Sequence, residues 1–420
     1  HKGRDLWIAT VTDTTTGAHN TKPAHWIDAN IHATEATGSV AALFILDFLA
    51  NNFGKHDQVT EALRTRTFYI VPRVNPDGAE DALLDRPLYH RSSVRSWPWR
   101  DGHRWPGLSV EDIDGDGTIR TMRIVDVDGA WMEHEEDARV MVAVGPLGAP
   151  AGKTRYRLLD EGFVLNFDGF TIPMPRDPAG LDLNRNFHDF SKPLPDNTAY
   201  KEVQDLLLPE QWPPNAANQQ ATAQYIAQHG MPKLQAAVSQ GQHHHPQGLF
   251  YGGQAPTWSN QTIRKVLKQQ AASAKKLAWI DLHTGLGPSG VGERIYAGAN
   301  DTAAIDRARQ WWGPGITSIY DGSSSSAFLT GLMWMSVQDE CPHAEYTGIA
   351  LEYGTLPMND MLSALRADHW LHIHPEASDE LKKSIKAQIF AAFYTDTDVW
   401  REQIISQARE AMFQAVEGLK

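Results

Sequence analysis

A strand, a helix and another strand succeed one another within about fifty residues near the start of the chain, and this order constrains the fold more than any other feature. Residues 24–31 read as an apolar strand. From 38 to 53 the spacing of Val40, Leu43, Phe44, Leu46, Phe48 and Leu49 predicts a helix buried over much of its surface, closed by Gly54. Residues 67–71 are β-branched and aromatic and stop at Pro72, which reads as a second strand. Parallel strands need such a crossover, so the unit predicts an α/β sheet. A further strand at 6–12 leads in through the Thr, Gly and Asn-rich turn 13–20.

At 420 residues the chain exceeds a usual single core, so it is one large elaborated domain or two smaller ones. Its formal net charge of -13 argues against a broad grip on nucleic acid or anionic membrane, while leaving room for a local cationic pocket. The single cysteine, Cys341, excludes an internal disulfide and a Cys-rich metal site. The most apolar run, 40–50, is too short for a bilayer and contains Asp47, so no membrane span is predicted. The chain opens on His1-Lys2-Gly3-Arg4 with no apolar leader behind it, so the N-terminus is expected to be truncated, with any leader or propeptide removed.

Between 90 and 167 the pattern dissolves into Trp, Pro, Gly and Asp-rich sequence with short alternating runs at 141–144 and 155–159, which reads as a long insertion. Helical spacing returns at 216–229 and at 259–274, the latter with Ser259 as N-cap. Strands are expected at 277–282 and 348–352, and the tail 376–419 is helical with a break near 395–397. No fixed-period repeat is present.

His32-Ala33-Thr34-Glu35 stands at the C-terminal end of the strand at 24–31, where open α/β sheets place their ligand sites. Imidazole and carboxylate together suit zinc, yet an isolated His-x-x-Glu is equally a surface or capping pair. Trp279-Ile280-Asp281-Leu282-His283 delivers a second histidine before a Gly-rich turn, with Asp281 available as a partner for its ring. Gly348-Ile349-Ala350-Leu351-Glu352 brings a carboxylate to another strand end, as a general base or as half of a structural ion pair. Leu181-Asp182-Leu183-Asn184-Arg185-Asn186-Phe187 adds an arginine able to grip a carboxylate bidentately or to tie down a loop. Converging at the ends of elements in one sheet, two His and one Glu make a catalytic zinc set, and the second Glu and the Arg suit a peptidase.

On these residues the sequence resembles the zinc carboxypeptidase (M14) family that includes the pancreatic digestive enzymes. Gly3-Arg4, Asn30-Ile31-His32-Ala33-Thr34-Glu35, Val74-Asn75-Pro76-Asp77-Gly78, Asn184-Arg185-Asn186-Phe187 and the His283 and Glu352 strands fall in that family's order. Gly248-Leu249-Phe250-Tyr251-Gly252-Gly253, Asp281-Leu282-His283-Thr284-Gly285-Leu286-Gly287 and Leu351-Glu352-Tyr353-Gly354-Thr355 look like a less characterised bacterial branch. The resemblance implies a mixed, mostly parallel sheet sandwiched between helices. It also implies one catalytic zinc held by His32, Glu35 and His283, Glu352 as general base, and Asn184 and Arg185 on the substrate's C-terminal carboxylate. A family arginine that polarises the scissile carbonyl has two candidates, Arg91 and Arg95, and the phenol that closes over substrate has one, Tyr320.

The activity so implied is that of a metallocarboxypeptidase, hydrolysing the C-terminal amide bond of peptides with a metal-activated water. Its rivals are a related amidase or deacylase on N-acyl amino acids or cell-wall peptides, and a non-catalytic binding module. Either enzyme takes a substrate with a free carboxylate.

The chain departs from the simple family pattern in two insertions, about 90–167 and 188–258, within a single peptidase domain spanning 1–420. They leave Gln242-His243-His244-His245-Pro246 as a competitor for the third ligand, or as a border of the specificity pocket. His283 is preferred because the helix and strand before it reproduce the family's approach to that ligand. Asp112-Ile113-Asp114-Gly115-Asp116 resembles the first half of an EF-hand-type calcium loop, although Arg123 stands where the closing Glu belongs. Calcium on Asp112, Asp114 and Asp116, completed by Asp126 or Asp128, is set against a metal-free turn, and bound calcium would favour a periplasmic or secreted location. Asp321 would select a basic side chain if it reached the base of the specificity pocket, and is otherwise a solvated loop carboxylate.

Overall fold

The computed structural model describes residues 4–83, 107–146, 148–165, 171–172, 181–374 and 376–420. The chain divides into two compact units, one formed by His1–Pro98 with Asp177–Lys420 and the other by Trp99–Arg176. The first unit opens with β1 (Ala9–Val11), β2 (Ala24–Ala29), α1 (Ala36–Asn52), α2 (Asp57–Thr65), β3 (Thr67–Val71) and α3 (Pro76–Ala82).

The second unit covers much of the sequence expected as the first insertion, and it is a pair of small sheets. β4 (Gly107–Val110), β9 (Gly162–Leu165) and β10 (Thr171–Ile172) form one, in the order β10-β4-β9. β5 (Thr121–Val125), β6 (Trp131–Glu133), β7 (Met141–Ala143) and β8 (Arg155–Asp160) form the other, in the order β5-β8-β6-β7.

The first unit resumes with α4 (Thr198–Leu207), α5 (Ala216–His229) and α6 (Met231–Ser239), so the expected second insertion carries three helices. It continues through α7 (Trp258–Ala271), β11 (Lys276–Ser289), β12 (Gly292–Tyr296), α8 (Thr302–Trp312), α9 (Ser336–Glu340) and β13 (Glu345–Gly354). Three helices close it: α10 (Met358–Ile373), α11 (Asp379–Phe393) and α12 (Asp398–Gly418).

Its six-stranded sheet has the order β1-β3-β2-β11-β13-β12. The four central strands run parallel, and the edge strands β1 and β12 are antiparallel to their neighbours. All six residues of β2 are buried, as expected where helices cover both faces of a parallel sheet. On one face Ile27, Ala29, Ile280 and Leu282 join Ala41, Ile45 and Leu49 of α1 and Ile404, Ala408 and Ala411 of α12. On the other, Trp26 and Trp279 pack with Ile263 and Leu267 of α7. Helix α1 sits close against the sheet because Gly38 lacks a side chain: a Cβ there would meet the Leu282 carbonyl at 3.0 Å and Ala29 Cβ at 3.2 Å.

Two sequence expectations shift. α7 is capped by Thr257, whose hydroxyl accepts the Asn260 N–H, while Ser259 lies buried inside the helix. The strand expected at 277–282 runs on to Ser289, because its pairing with β13 continues past a bulge between Thr284 and Ser289. Among the described residues no single helix is long and apolar enough to cross a membrane.

Candidate active site

Strand periodicity puts the chemistry on one face. Trp26 and Trp279 are register partners whose rings stack at 5.0 Å, and side chains two apart share a face, so Asp281 and His283 follow Trp279 towards the strand end. On β13 the same period carries Gly348 and Ala350 to Glu352, the register partner of His283. After β2 the chain turns at Asn30, which takes a left-handed φ of 59° that asparagine tolerates. Its side-chain amide donates to the carbonyls of His32 (2.7 Å) and Ala33 (3.2 Å), fixing the turn that presents His32 and Glu35.

His32, Glu35 and His283 converge, all buried, with their ligand atoms within 4.8 Å of one another. His32 Nδ1 lies 2.8 Å from Glu35 Oε1, and His283 Nδ1 lies 2.8 Å from Glu35 Oε2. The opposite ring nitrogens face carboxylates: His32 Nε2 is 3.1 Å from Asp182 Oδ1, and His283 Nε2 makes a 2.8 Å ion-pair contact with Asp281 Oδ1 rather than an aligned hydrogen bond. Burial opposes the ionisation of Glu35, but the two imidazoles outweigh it and hold the carboxyl below its usual range. Burial likewise opposes charge on His283, and Asp281 and then Glu35 outweigh it, raising that ring well above the usual histidine range. Negative charge therefore gathers around two inward-facing Nδ1 atoms. Two imidazoles and a carboxylate, each imidazole facing a further carboxylate, are the donor set a catalytic zinc takes, so the residues present fit that ion.

Asp182 links this group to the carboxylate-binding candidates. Its Oδ1 also accepts the Asn184 N–H at 2.9 Å, capping the short 3-10 turn Leu183–Arg185. Asn184 Oδ1 accepts the Met333 N–H at 2.8 Å, which fixes the amide. Arg185, only 2% exposed, donates from Nε to the Ser239 carbonyl and from Nη1 to its neighbour's, with its guanidinium 5.3 Å from the Phe250 ring centroid. The half-buried Glu352 accepts the Leu286 N–H at 3.1 Å. His32, Glu35, His283, Asn184, Arg185 and Glu352 all line one cavity of about 120 Å³.

Other sequence candidates lie elsewhere. The Tyr320 hydroxyl donates to the Gly298 carbonyl at 2.8 Å, and the residue is absent from the cavity lining. Arg91 and Arg95 fall outside the described residues. His243 is buried against His188 with its Nδ1 2.6 Å from the Gly253 carbonyl, apart from both the ligand group and the cavity lining. Asp321 is exposed, accepts from Ser323 and pairs with Arg309 at 3.6 Å, outside the cavity lining. In the second unit Asp112 and Asp114 gather with Glu161, and Arg120 pairs with Asp116 and, at 3.6 Å, with Asp114. The Asp112 carboxylate already accepts the N–H groups of Gly115 and Gly117, and Glu161 those of Ile113 and Arg120.

Sequence reasoning gave no role to Asp182, although it stands two residues before Asn184 in the quoted motif. It also missed Asp28, the fully buried register partner of Asp281, whose carboxyl is held well above its usual range by burial and then by that neighbour. The alternation Trp26, Asp28 beside Trp279, Asp281 was the available signal.

A mostly parallel α/β sheet presenting a buried His-Glu-His group at its strand ends is the arrangement that the resemblance to zinc carboxypeptidases implies. Residues 1–104 match the family described as Zinc carboxypeptidase, and residues 165–407 match the family described as Protein of unknown function (DUF2817). The chain belongs to the latter family, whose match spans more than half of it, and over its first 104 residues it is similar to the zinc carboxypeptidases. Mus musculus carboxypeptidase A2 is 39% identical over 76 residues, 18% of this chain and 16% of that protein. Mus musculus carboxypeptidase M is 30% identical over 94 residues, 22% of this chain and 21% of that protein. The matched stretches thus span about a fifth or less of these relatives. A crystal structure of thrombin activatable fibrinolysis inhibitor aligns over 92% of this chain and 68% of its own, at 14% identity and a TM-score of 0.40.

Proposed function

We infer that the protein is a zinc-dependent carboxypeptidase that hydrolyses the last amide bond of a peptide with a free C-terminal carboxylate. The observation that carries this reading is the shared cavity: Asn184 and Arg185 line the same space as His32, Glu35, His283 and Glu352. The two histidines and Glu35 would hold the zinc, which when bound supplies Lewis-acid polarisation of a carbonyl and acidifies water. Arg185 and Asn184 take the substrate's carboxylate, which confines cleavage to the terminal bond. Glu352, steadied by the Leu286 N–H, accepts the proton of the attacking water and returns it to the leaving nitrogen. Oxyanion stabilisation is assigned to Arg91 or Arg95, following the family resemblance.

The compact cavity also suits an N-acyl amino acid, so a related amidase is the second reading. Metal analysis of the purified protein, with a panel of blocked dipeptides, their C-terminal amides and N-acyl amino acids, separates the two. Stoichiometric zinc with release of C-terminal residues from free acids alone is expected. Turnover restricted to N-acyl amino acids selects the amidase, and absence of zinc overturns the ligand assignment.

A further inference from the structure

Asp47 is the only charged residue among the 17 of α1, so this helix is apolar nearly all round. A helix of that kind is normally enclosed, yet α1 is covered on one side only. Its buried residues, among them Ala41, Ala42, Ile45 and Leu49, belong to the core shared with the sheet and α12. Away from that core Val40, Leu43, Phe44, Asp47 and Phe48 fall at positions i, i+3, i+4, i+7 and i+8, the spacing of a helix-packing stripe. Val40 is 49% exposed and Leu43 48%, so the stripe lies open to solvent.

The stripe runs into a groove of about 810 Å³ bounded by α1, the start of α2, α8 and α12. Phe44 stacks on Phe48 at 6.1 Å, and Phe48 meets Phe413 of α12 edge-on at 6.0 Å, so one row of rings leads from the open helix face into the groove. Trp311 of α8 lines it as well. The indole lies against Gly418, where a Cβ would meet the ring at 2.1 Å, so a glycine there is what lets the ring close on α12.

The charges on this face say what covers it. Glu410 of the groove pairs with Arg294 at 3.3 Å, and Glu417 pairs with Lys420. Arg409 instead holds its guanidinium 5.8 Å from the Phe48 ring centroid, with no carboxylate paired to it among the described residues. Asp47 is exposed and accepts the Asn51 side-chain amide at 2.7 Å, with no cation paired to it among the described residues. A partner for this face therefore brings an apolar ridge, one cation and one anion. The same face of a second copy, turned about a two-fold axis, supplies all three. A lipid surface fits worse, because a helix lying in a membrane interface carries Lys and Arg on its polar side, and α1 carries Asp47 alone.

We propose that this face is an isologous interface between two copies of the chain, in which α1 of each copy packs into the aromatic groove of the other and Asp47 pairs with Arg409 twice across the axis. None of these residues lines the strand-end cavity, so the interface and the carboxypeptidase reading stand or fall separately. Sedimentation velocity over about 1–100 μM protein reads the assembly of wild type, Leu43→Glu, Val40→Glu, Asp47→Arg, Arg409→Asp and the double variant Asp47→Arg with Arg409→Asp.

Wild type is expected to sediment as two chains, with a dissociation constant of about 10 μM or tighter. Leu43→Glu is expected to weaken association at least about 100-fold, because an unpaired carboxylate enters the interface on both sides of the axis. Val40→Glu carries the same test if Leu43→Glu fails to fold. Asp47→Arg and Arg409→Asp each set like charges opposite one another and are expected to lose at least about tenfold. The double variant restores the pair with its signs exchanged, and its affinity is expected to return to within about threefold of wild type. A general loss of fold would not be rescued in that way. A wild type that stays monomeric at about 100 μM, a dimer unaffected by either glutamate variant, or a double variant no tighter than the single ones overturns the proposal. Flotation with phosphatidylcholine vesicles is expected to leave the protein unbound. A monomer that floats with them, and is released by Leu43→Glu, assigns the face to lipid and overturns the proposal as well.

Discussion

Glu352 stands beside His283 as its register partner on the neighbouring parallel strand, so one hydrogen-bonded rung fixes the separation of the proposed base from a proposed metal ligand. Such spacing is set by the sheet rather than by a loop, and it survives a substitution that leaves the side-chain shape unchanged. Glu352→Gln keeps size and hydrogen-bonding length while removing the proton acceptor. Its kcat is expected to fall by about 10²–10⁴ with zinc content unaltered. A variant retaining more than a tenth of wild-type turnover would transfer the base to another group.

Asp182 touches two parts of the site at once, through His32 Nε2 and the Asn184 N–H. Asp182→Asn preserves an acceptor for one contact but removes the charge that orients the imidazole. Zinc affinity, measured by competition with a chromophoric chelator, is expected to weaken about 10–100-fold. An unchanged affinity would mean that His32 is held by packing alone.

These two carboxylates also mark where the sequence was and was not legible. His32, Glu35, His283 and Glu352 each end an apolar strand or follow its turn, so periodicity and position point to them in the sequence alone. Asp182 sits in an irregular segment, where no period says which way a side chain faces. Tyr320 is a candidate only through the family resemblance, with no motif around it, and the Gly298 carbonyl accepts its hydroxyl. In the aspartate-rich loop the charges of Asp112, Asp114 and Asp116 are visible in sequence, but not that Arg120 pairs with Asp116 and Asp114 while Glu161, on the far side of a strand pair, gathers with Asp112 and Asp114.

Arg185 donates to the carbonyls of Ser239 and Asn184, which aim its planar guanidinium at the cavity in a way a lysine cannot reproduce. Arg185→Lys is expected to raise KM for substrates with a free carboxylate by about tenfold or more, with a smaller change in kcat. C-terminally amidated substrates, already poor, should be indifferent to the change. If both substrate types lose equally, the arginine serves the scaffold instead.

His25 offers a test of stability that is independent of catalysis. It is fully buried on the helix-covered face of β2, its ring 5.2 Å from that of Phe68, and neither ring nitrogen has a hydrogen-bond partner. Burial lowers its pKa to about 3, against roughly 6.5 in an unfolded chain. The folded value lies below the unfolded one, so the titration of the ring takes nothing from stability above about pH 6.5. As pH falls from there towards 3, the unfolded chain binds a proton that the fold refuses, and stability drops by up to about 1.4 kcal/mol per pH unit. His25→Leu keeps a similar volume and removes the titration. Urea unfolding at pH 7, 6, 5 and 4 is expected to give a variant that matches wild type within about 1 kcal/mol at neutral pH and overtakes it steadily below pH 6. Parallel acid limbs for the two proteins would show that the ring gains a proton, or a partner, inside the fold.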